Sequence, residues 1–399
     1  MRVDGDRYEL GVLMGQRGDY ARARQLFQEA GEDARALLAL GQLASGGLGE
    51  DPDPAKAAKL YWQAANLGNG EAAFNLGALY GSGRGVPMDS DIALQWYAKA
   101  GELGCPAGYR VAGRMYAEGD GRPVDVAKAE AWWMAAARAG DAGAMADVAG
   151  VIVNRYNDPV TAAEWYLKAR ESGHTQADPD FAKLRTRLAP LAEAGDVRAA
   201  KALGMLLNAV TQDDAAAIQA LTLPADRGDP VAQRTLAELL MKAPDRAGDR
   251  VLRLLDAAAR SGDGRAAYTL AGMFGRGDGV QRDPALAVQW ARLAIAHGVT
   301  ATYALMAGFA ERPETQLNWY LDGALAGDPG CIAEVARRYR DGAGTPADHV
   351  QALRWFLVLD GPDAEEVAAG LSDELVRQAG YMADRTTRAN AIIASRQAG

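Results

Sequence analysis

The stretch EAAFNLGALYGSGRGVPMDSDIALQWYAKAGELG, residues 71–104, decides how the rest of the chain reads. From Glu71 to Tyr80, the residues Ala72, Ala73, Leu76, Leu79 and Tyr80 recur at three- and four-residue spacing, which lays an apolar stripe along one side of a helix. Gly81 to Pro87 cannot continue that helix, because glycines take left-handed conformations and Pro87 has no amide hydrogen. A second helix then runs from Asp91 to Leu103, with Ile92, Ala93, Trp96, Tyr97 and Ala100 on its apolar side. Two amphipathic helices joined by so short a loop pair antiparallel.

The same string returns 36 residues later, as Ala112-Gly113 with Tyr116, Gly119 to Gly121, Trp132-Trp133 and Gly140. A fixed period of this length means stacked copies of one helix pair. Closing glycines mark the copies at Gly31, Gly68, Gly104, Gly140, Gly173, Gly228, Gly262, Gly298 and Gly327, with gaps of 37, 36, 36, 33, 55, 34, 36 and 29. Gly195 splits the gap of 55 into 22 and 33, which leaves one extra segment and one ordinary repeat. Within His174 to Ala194 this extra segment reads as helical and interrupted by Pro190.

Helix ends are written in consistent chemistry. Asp53-Pro54, Asp158-Pro159 and Asp283-Pro284 each open a second helix, the aspartate accepting orphan amides and the proline preset for the first turn. At Gly140-Asp141, Gly195-Asp196, Gly228-Asp229, Gly262-Asp263 and Gly327-Asp328, glycine ends one helix and aspartate starts the next. These acids are folding signals rather than catalytic pairs. Glycines inside the first helices, at Gly41, Gly77, Gly113, Gly150, Gly204, Gly272 and Gly308, each cost about 1 kcal/mol against alanine, so their shared register predicts close helix-to-helix approach. Trp96, Trp132, Trp165, Trp290 and Trp319 all stand eight residues before a closing glycine and are expected to fill the space between repeats.

Composition suits a helical, repetitive chain: of 399 residues 49% are hydrophobic and only 7% aromatic. A single core of that length would be large, whereas a solenoid has no such limit because each repeat touches only its neighbours. Against 43 basic residues stand 52 acidic ones, a formal charge of −9, which argues against a nucleic-acid surface. Cys105 and Cys331, far apart in the array, do not make a disulfide framework. No apolar run reaches the ~18 residues that span a bilayer, and Met1 to Arg7 lacks the apolar core of a secretory signal. The chain as written therefore reads as cytoplasmic; a mature chain whose signal segment has been removed reads the same way and would be periplasmic.

Motifs for chemistry are sparse. Gly81 to Gly85 and Gly275 to Gly279 look like phosphate cradles, but a helix precedes each and no lysine follows, so they read as interhelical turns. His174, His297 and His349 lie in separate repeats without metal-ligand spacing, and neither a Gly-x-Ser-x-Gly elbow nor a Cys near a His occurs. No metal, cofactor or catalytic residue is expected.

Ala72 to Tyr80, Gly81 to Val86 and Ala93 to Gly104, repeated in Ala267 to Val280 and Ala285 to Gly298, resemble the Sel-one-like repeat, a relative of the tetratricopeptide repeat. The resemblance implies an all-α fold, a right-handed α/α superhelical solenoid of about ten antiparallel helix pairs, with Leu371 to Ala379 as part of a carboxy-terminal cap. The expected organisation is an amino-terminal lobe over 1–173, an irregular helical insertion over 174–195, a second lobe over 196–360 and capping helices over 361–399. Departures cluster in mid-chain, where Arg155 to Asp158, Thr211 to Asp214 and Lys242 to Asp245 replace the glycine-rich loop and second-helix aromatics vanish from Ala215 to Arg227 and Asp249 to Arg260.

The resemblance also implies a non-enzymatic scaffold or adaptor that binds a protein or peptide along the concave face of its first helices. The register just after the helix glycine, or three before it, then selects Phe74, Arg110, Arg114, Asp147, Lys201, Arg234, Glu238, Met273, Phe309 and Arg337 as lining residues. Arg110, Arg114, Lys201 and Arg234 are four cations in an acidic chain, so an acidic or phosphorylated peptide, or a chain carboxylate, is the expected partner if they share a face. The competing reading pairs these arginines with acids such as Asp147 and Glu238. Two alternatives stay open: an envelope-associated relative serving secretion, exopolysaccharide assembly or toxin immunity, and a hydrolase of the cysteine-rich kind, whose paired cysteines this chain lacks.

Overall fold

The computed structural model describes residues 4–174, 180–211, 213–242, 248–359 and 363–383. Packing divides the chain into two compact units that meet inside one helix, the first ending at Leu184 and the second beginning at Arg185. Among the described residues both units are helical, with no strand.

The first unit is five helix pairs. They are α1 (Asp4–Gln16) with α2 (Tyr20–Glu29), α3 (Ala34–Gly46) with α4 (Pro54–Asn66), α5 (Gly70–Ser82) with α6 (Ser90–Glu102), α7 (Pro106–Glu118) with α8 (Val126–Arg138), and α9 (Ala142–Val151) with α10 (Pro159–Glu171). An unpaired helix, α11 (Asp180–Glu193), crosses the division. The second unit repeats the pattern as α12 (Val197–Leu206) with α13 (Asp214–Asp226), α14 (Pro230–Lys242) with α15 (Gly248–Arg260), α16 (Gly264–Arg276) with α17 (Pro284–Ala296), α18 (Thr302–Phe309) with α19 (Pro313–Leu325), and α20 (Pro329–Asp341) with α21 (His349–Leu359). Two further helices, α22 (Asp363–Ala369) and α23 (Asp373–Met382), close it, burying Val367, Val376 and Ala379 in the same cluster as Leu353 and Phe356 of α21. The two helices of each pair pack on one another, and within each unit each second helix packs on the first helix of the next pair, as a solenoid requires. In the second unit the first helices also meet one another, α12 with α14, α16 with α18 and α18 with α20.

The aspartates work as caps. Asp53 Oδ1 accepts the amide of Lys56 at 2.9 Å and Asp283 Oδ1 that of Leu286 at 3.0 Å, with proline at the first helical position in both. Between repeats, Gly140 turns left-handed at φ 94° and lets the amide of Asp141 reach back to Ala136 O at 3.0 Å, while Asp141 Oδ1 accepts from Ala144 at 2.7 Å. In mid-chain the glycine-rich loop gives way to π-helical turns, Ile152–Tyr156 after α9 and Leu207–Thr211 after α12. Residues 243–247, within the third replaced loop, lie outside the described residues.

Pro190 and two of the helix glycines depart from expectation. Pro190 does not interrupt the extra segment: it lies inside α11, close to its end, where a missing amide costs one hydrogen bond and little helix remains to be broken. The residue that enters beneath the helix glycine, which the sequence alone does not assign, stands seven positions before the closing glycine. A Cβ on Gly41 would lie 2.5 Å from the Tyr61 ring, one on Gly77 3.0 Å from Tyr97, one on Gly113 2.6 Å from Trp133 and one on Gly204 2.5 Å from Leu221. The tryptophans at eight are half-buried, as expected; Trp96 packs against the cluster that joins α4, α5 and α6, and Trp165 against the one that joins α8, α9 and α10. Gly272 and Gly308 break the rule: the nearest atoms to the first belong to the flexible side chain of Arg276, and near the second nothing lies within 4 Å.

Candidate partner-binding surface

The ten lining residues divide between the units and among three environments. Phe74 on α5 is half-buried with its ring edge-on to Tyr97, centroids 5.4 Å apart, so it supports the aromatic that enters beneath Gly77. Met273 on α16 is a core residue rather than a lining one, only 4% exposed in the cluster that joins α14 to α17. The Phe309 ring lies directly against Gly275, where only a glycine leaves room for it. Asp147 on α9 is half-buried and already engaged within the chain.

The cations follow one rule. Arg110 Nε on α7 stands 3.0 Å from Oδ1 of Asp141, the aspartate that caps α9. Lys201 Nζ on α12 stands 2.6 Å from Oδ2 of Asp229, whose other oxygen accepts the amide of Ala232 in α14. Arg234 Nε on α14 stands 2.9 Å from Oδ2 of Asp263, the cap of α16, and its Nη1 donates to Glu238 at 3.0 Å. Each cation therefore reaches the amino-terminal cap of the next first helix. Burial works against the Arg234 charge, but the Glu238 and Asp263 carboxylates outweigh it and raise the guanidinium pKa. Where the following cap is Asn69 or Cys105 instead of aspartate, the residue at this register is apolar, Leu38 or Phe74.

Only two of the ten are exposed. Arg337 on α20 pairs with Glu334 one turn back at 3.0 Å. Arg114 on α7 has no carboxylate within ion-pair distance among the described residues, although the neighbouring Arg110 is engaged. Of the four cations first grouped together, two are on α7 in the first unit and two in the second. Sequence reasoning missed the cap-bridging role of three of them; the signal was a cation 28–31 positions before a Gly-Asp junction. Gln42, at the register just after Gly41, makes a similar link to Glu71 at 2.9 Å.

Among the described residues no three His, Cys, Asp or Glu side chains gather into a group able to hold a metal ion. No helix of the described residues is long and apolar enough to cross a membrane.

The family model described as the Sel1 repeat matches residues 5–33, 34–69, 70–105, 106–141, 149–174, 264–299 and 329–357, more than half of the chain. The chain belongs to the Sel1 repeat family. The matched Sel1 repeats leave out the mid-chain stretch from α11 to α15, where the π-helical turn after α12 and the missing aromatics lie. No curated protein matches the sequence. Among solved structures, it is similar to c5321, a protective antigen present in uropathogenic Escherichia coli that displays the SLR fold, with 24% identity, a TM-score of 0.42, and 98% of this chain and 93% of that one covered. A Sel1 repeat protein from Oxalobacter formigenes is 23% identical, with a TM-score of 0.38 over 72% of this chain and 96% of that one. The immunity protein Pa5087 from Pseudomonas aeruginosa is 16% identical, with a TM-score of 0.24 over 66% and 81%.

Proposed function

We propose that this Sel1 repeat protein is a non-enzymatic scaffold or adaptor that holds a protein or peptide partner along the exposed face of its first helices. Stacked repeats offer a long surface made of many small contributions, which suits an extended partner better than a small substrate. The observation that carries the reading is Arg114: it is exposed and without a carboxylate partner, at a register where Arg337 is paired. An unpaired planar guanidinium recognises two oxygens of an oxyanion bidentately, so the segment docking on α7 carries a carboxylate or phosphate. Arg110, Lys201 and Arg234 are neutralised by the caps they reach and add structure rather than affinity.

The test uses the tagged full chain as bait in its source cells, with mass spectrometry of what it retains. Arg114→Glu is expected to lower retention of the specific partner about tenfold, the loss of roughly 1.4 kcal/mol, with an unchanged melting temperature. Equal retention by wild type and Arg114→Glu would remove α7 from the binding surface.

A further inference from the structure

Five second helices carry an indole eight residues before the closing glycine, and each seats that indole against the preceding repeat. Trp132 of α8 packs against the cluster formed by Ala93 and Tyr97 of α6 with Ala112 and Met115 of α7, and lies 5.5 Å, ring to ring, from Tyr109 of α7. Trp319 of α19 packs against the cluster of Ala271 of α16, Ala291 of α17 and Met306 of α18. Every such seat is thus walled by three helices: the preceding second helix, the first helix of the same repeat, and the helix that bears the tryptophan. Elsewhere among the second helices this register holds Leu60 on α4 and Leu254 on α15, both partly buried against the core, and the fully buried Ala23 on α2.

On α13 the register falls on Ala220. Here the structure contains a cleft of about 260 Å³ between α11, α12 and α13, the same three-helix arrangement, with α11 in the place of the preceding second helix. Five alanines contributed by all three helices line it, Ala220 among them, over a floor of Leu203 and Leu207. Around its rim stand Arg185, Glu193 and Gln219, whose side chains make no hydrogen bond or ion pair with the rest of the described chain. The cleft is therefore the repeat's own tryptophan seat with the tryptophan left out, and its mouth offers unspent donors and acceptors.

We infer that this cleft receives an aromatic side chain, tryptophan by preference, from a partner polypeptide. The inference rests on the scaffold reading above and adds to it a second contact, in the other unit and of different chemistry. Alanine walls leave width for a flat ring over the apolar floor, and an aromatic anchored in a pocket concentrates binding energy at a docking surface. The guanidinium, carboxylate and carboxamide at the rim suit the backbone amides that flank such a side chain, which a free aromatic molecule does not bring.

The experiment follows the backbone amide signals of the full chain while N-acetyl-tryptophanamide or free indole is added. The expected result is that Ala200, Leu203 and Ala220 shift with both probes, that N-acetyl-tryptophanamide binds at least fivefold tighter than indole, and that Gln219→Ala narrows the difference. Ala220→Trp, which supplies the missing ring from within, is expected to melt no lower than wild type and to abolish both responses; if it does not fold, Ala216→Leu narrows the mouth and reads the same way. No response in wild type, or an undiminished response in Ala220→Trp, overturns the inference. Equal affinity for the two probes overturns the polypeptide as occupant in favour of a small aromatic molecule. A wild-type chain that takes neither probe yet retains its partner sinks the cleft and leaves the scaffold standing, whereas one that takes both probes but retains no partner sinks the scaffold alone.

Discussion

Lys201 and Asp229 join two successive repeats through a single carboxylate. Asp229 Oδ1 accepts the amide of Ala232 at 2.8 Å and so caps α14, while its Oδ2 lies 2.6 Å from Lys201 Nζ on α12. A carboxylate offers more acceptor sites than a cap needs, and at α9, α14 and α16 the chain uses the remainder to tie the helix to an earlier first helix. The same division recurs at Asp263, with Oδ1 on Ala266 and Oδ2 on Arg234.

Burial decides how much each tie is worth. Arg234 is only 12% exposed and Asp263 9%, so removing the guanidinium strands a nearly buried carboxylate. Arg234→Ala is expected to lower stability by about 2–3 kcal/mol. Lys201→Ala, at a pair roughly a third open to water, is expected to cost under about 1 kcal/mol. Denaturant unfolding of the full chain at matched salt checks the order, which reverses if solvent screening does not set the scale.

Asp33, which caps α3, supplies a pH signature. Burial raises its pKa, but hydrogen bonds from the Arg35 side chain and amide outweigh this and hold it below the ordinary 3.8. Arg35 in turn stacks on Tyr8 and faces Glu9, so the cap also ties α3 to α1. Because the folded carboxyl binds its proton less readily than the unfolded one, the contribution is present above the ordinary pKa and is lost as pH falls through the lowered one. Asn also caps helices, so Asp33→Asn removes the charge alone. The melting-temperature gap between wild type and Asp33→Asn is expected to stay constant from about pH 7 to 5 and to close below about pH 3.5. A gap that widens on acidification would show that the charge destabilises this cap.

The helix pairs were legible because period, loop glycines and capping aspartates all say the same thing at the same spacing. Which aromatic enters between the helices was not. Trp96-Tyr97 and Trp132-Trp133 are adjacent pairs, so both positions look apolar from sequence, and only the structure shows Tyr97 and Trp133 beneath the helix glycines. Leu221 held the clue, since it keeps a large apolar group at seven while eight drops to Ala220. The candidate surface was harder. Arg110, Lys201 and Arg234 looked unexplained, and Asp141, Asp229 and Asp263 looked fully explained as caps, so the second oxygen of each carboxylate went unassigned. Arg114 alone of the four stands exposed and without an acid partner.

The two thiols should differ sharply in reactivity. Cys331 is fully buried beneath Gly323, and burial together with the Asp328 carboxylate pushes its pKa up to about 12. Cys105, half-buried at the start of α7, is raised by burial to a lesser degree. Only thiolate reacts with an alkylating agent, so iodoacetamide at about pH 8 is expected to label Cys105 slowly and to spare Cys331 until the chain is unfolded. Labelling of Cys331 at the rate of Cys105 in folded protein, read by peptide mass spectrometry, would mean that α19 and α20 open readily.

Glycine at one register has two meanings, and a pair of alanine substitutions separates them. A methyl on Gly113 would meet Trp133 Cδ1 and Nε1 at 2.6 Å and Ala129 O at 3.1 Å. The ring cannot simply swing aside, because Trp133 Nε1 donates to Arg110 O at 3.2 Å and backs onto the core of α8 and α9. Overpacking of this kind costs about 1–3 kcal/mol, so Gly113→Ala is expected to destabilise despite the better helix propensity of alanine. Gly308 sits at the same register in the short α18 with nothing within 4 Å of its would-be methyl. There the substitution meets open space and restricts only the unfolded chain, so Gly308→Ala is expected to stabilise by about 0.4–1 kcal/mol. Opposite signs in paired unfolding curves support close approach as the reason for Gly113; the same sign in both would show that the register serves something other than packing.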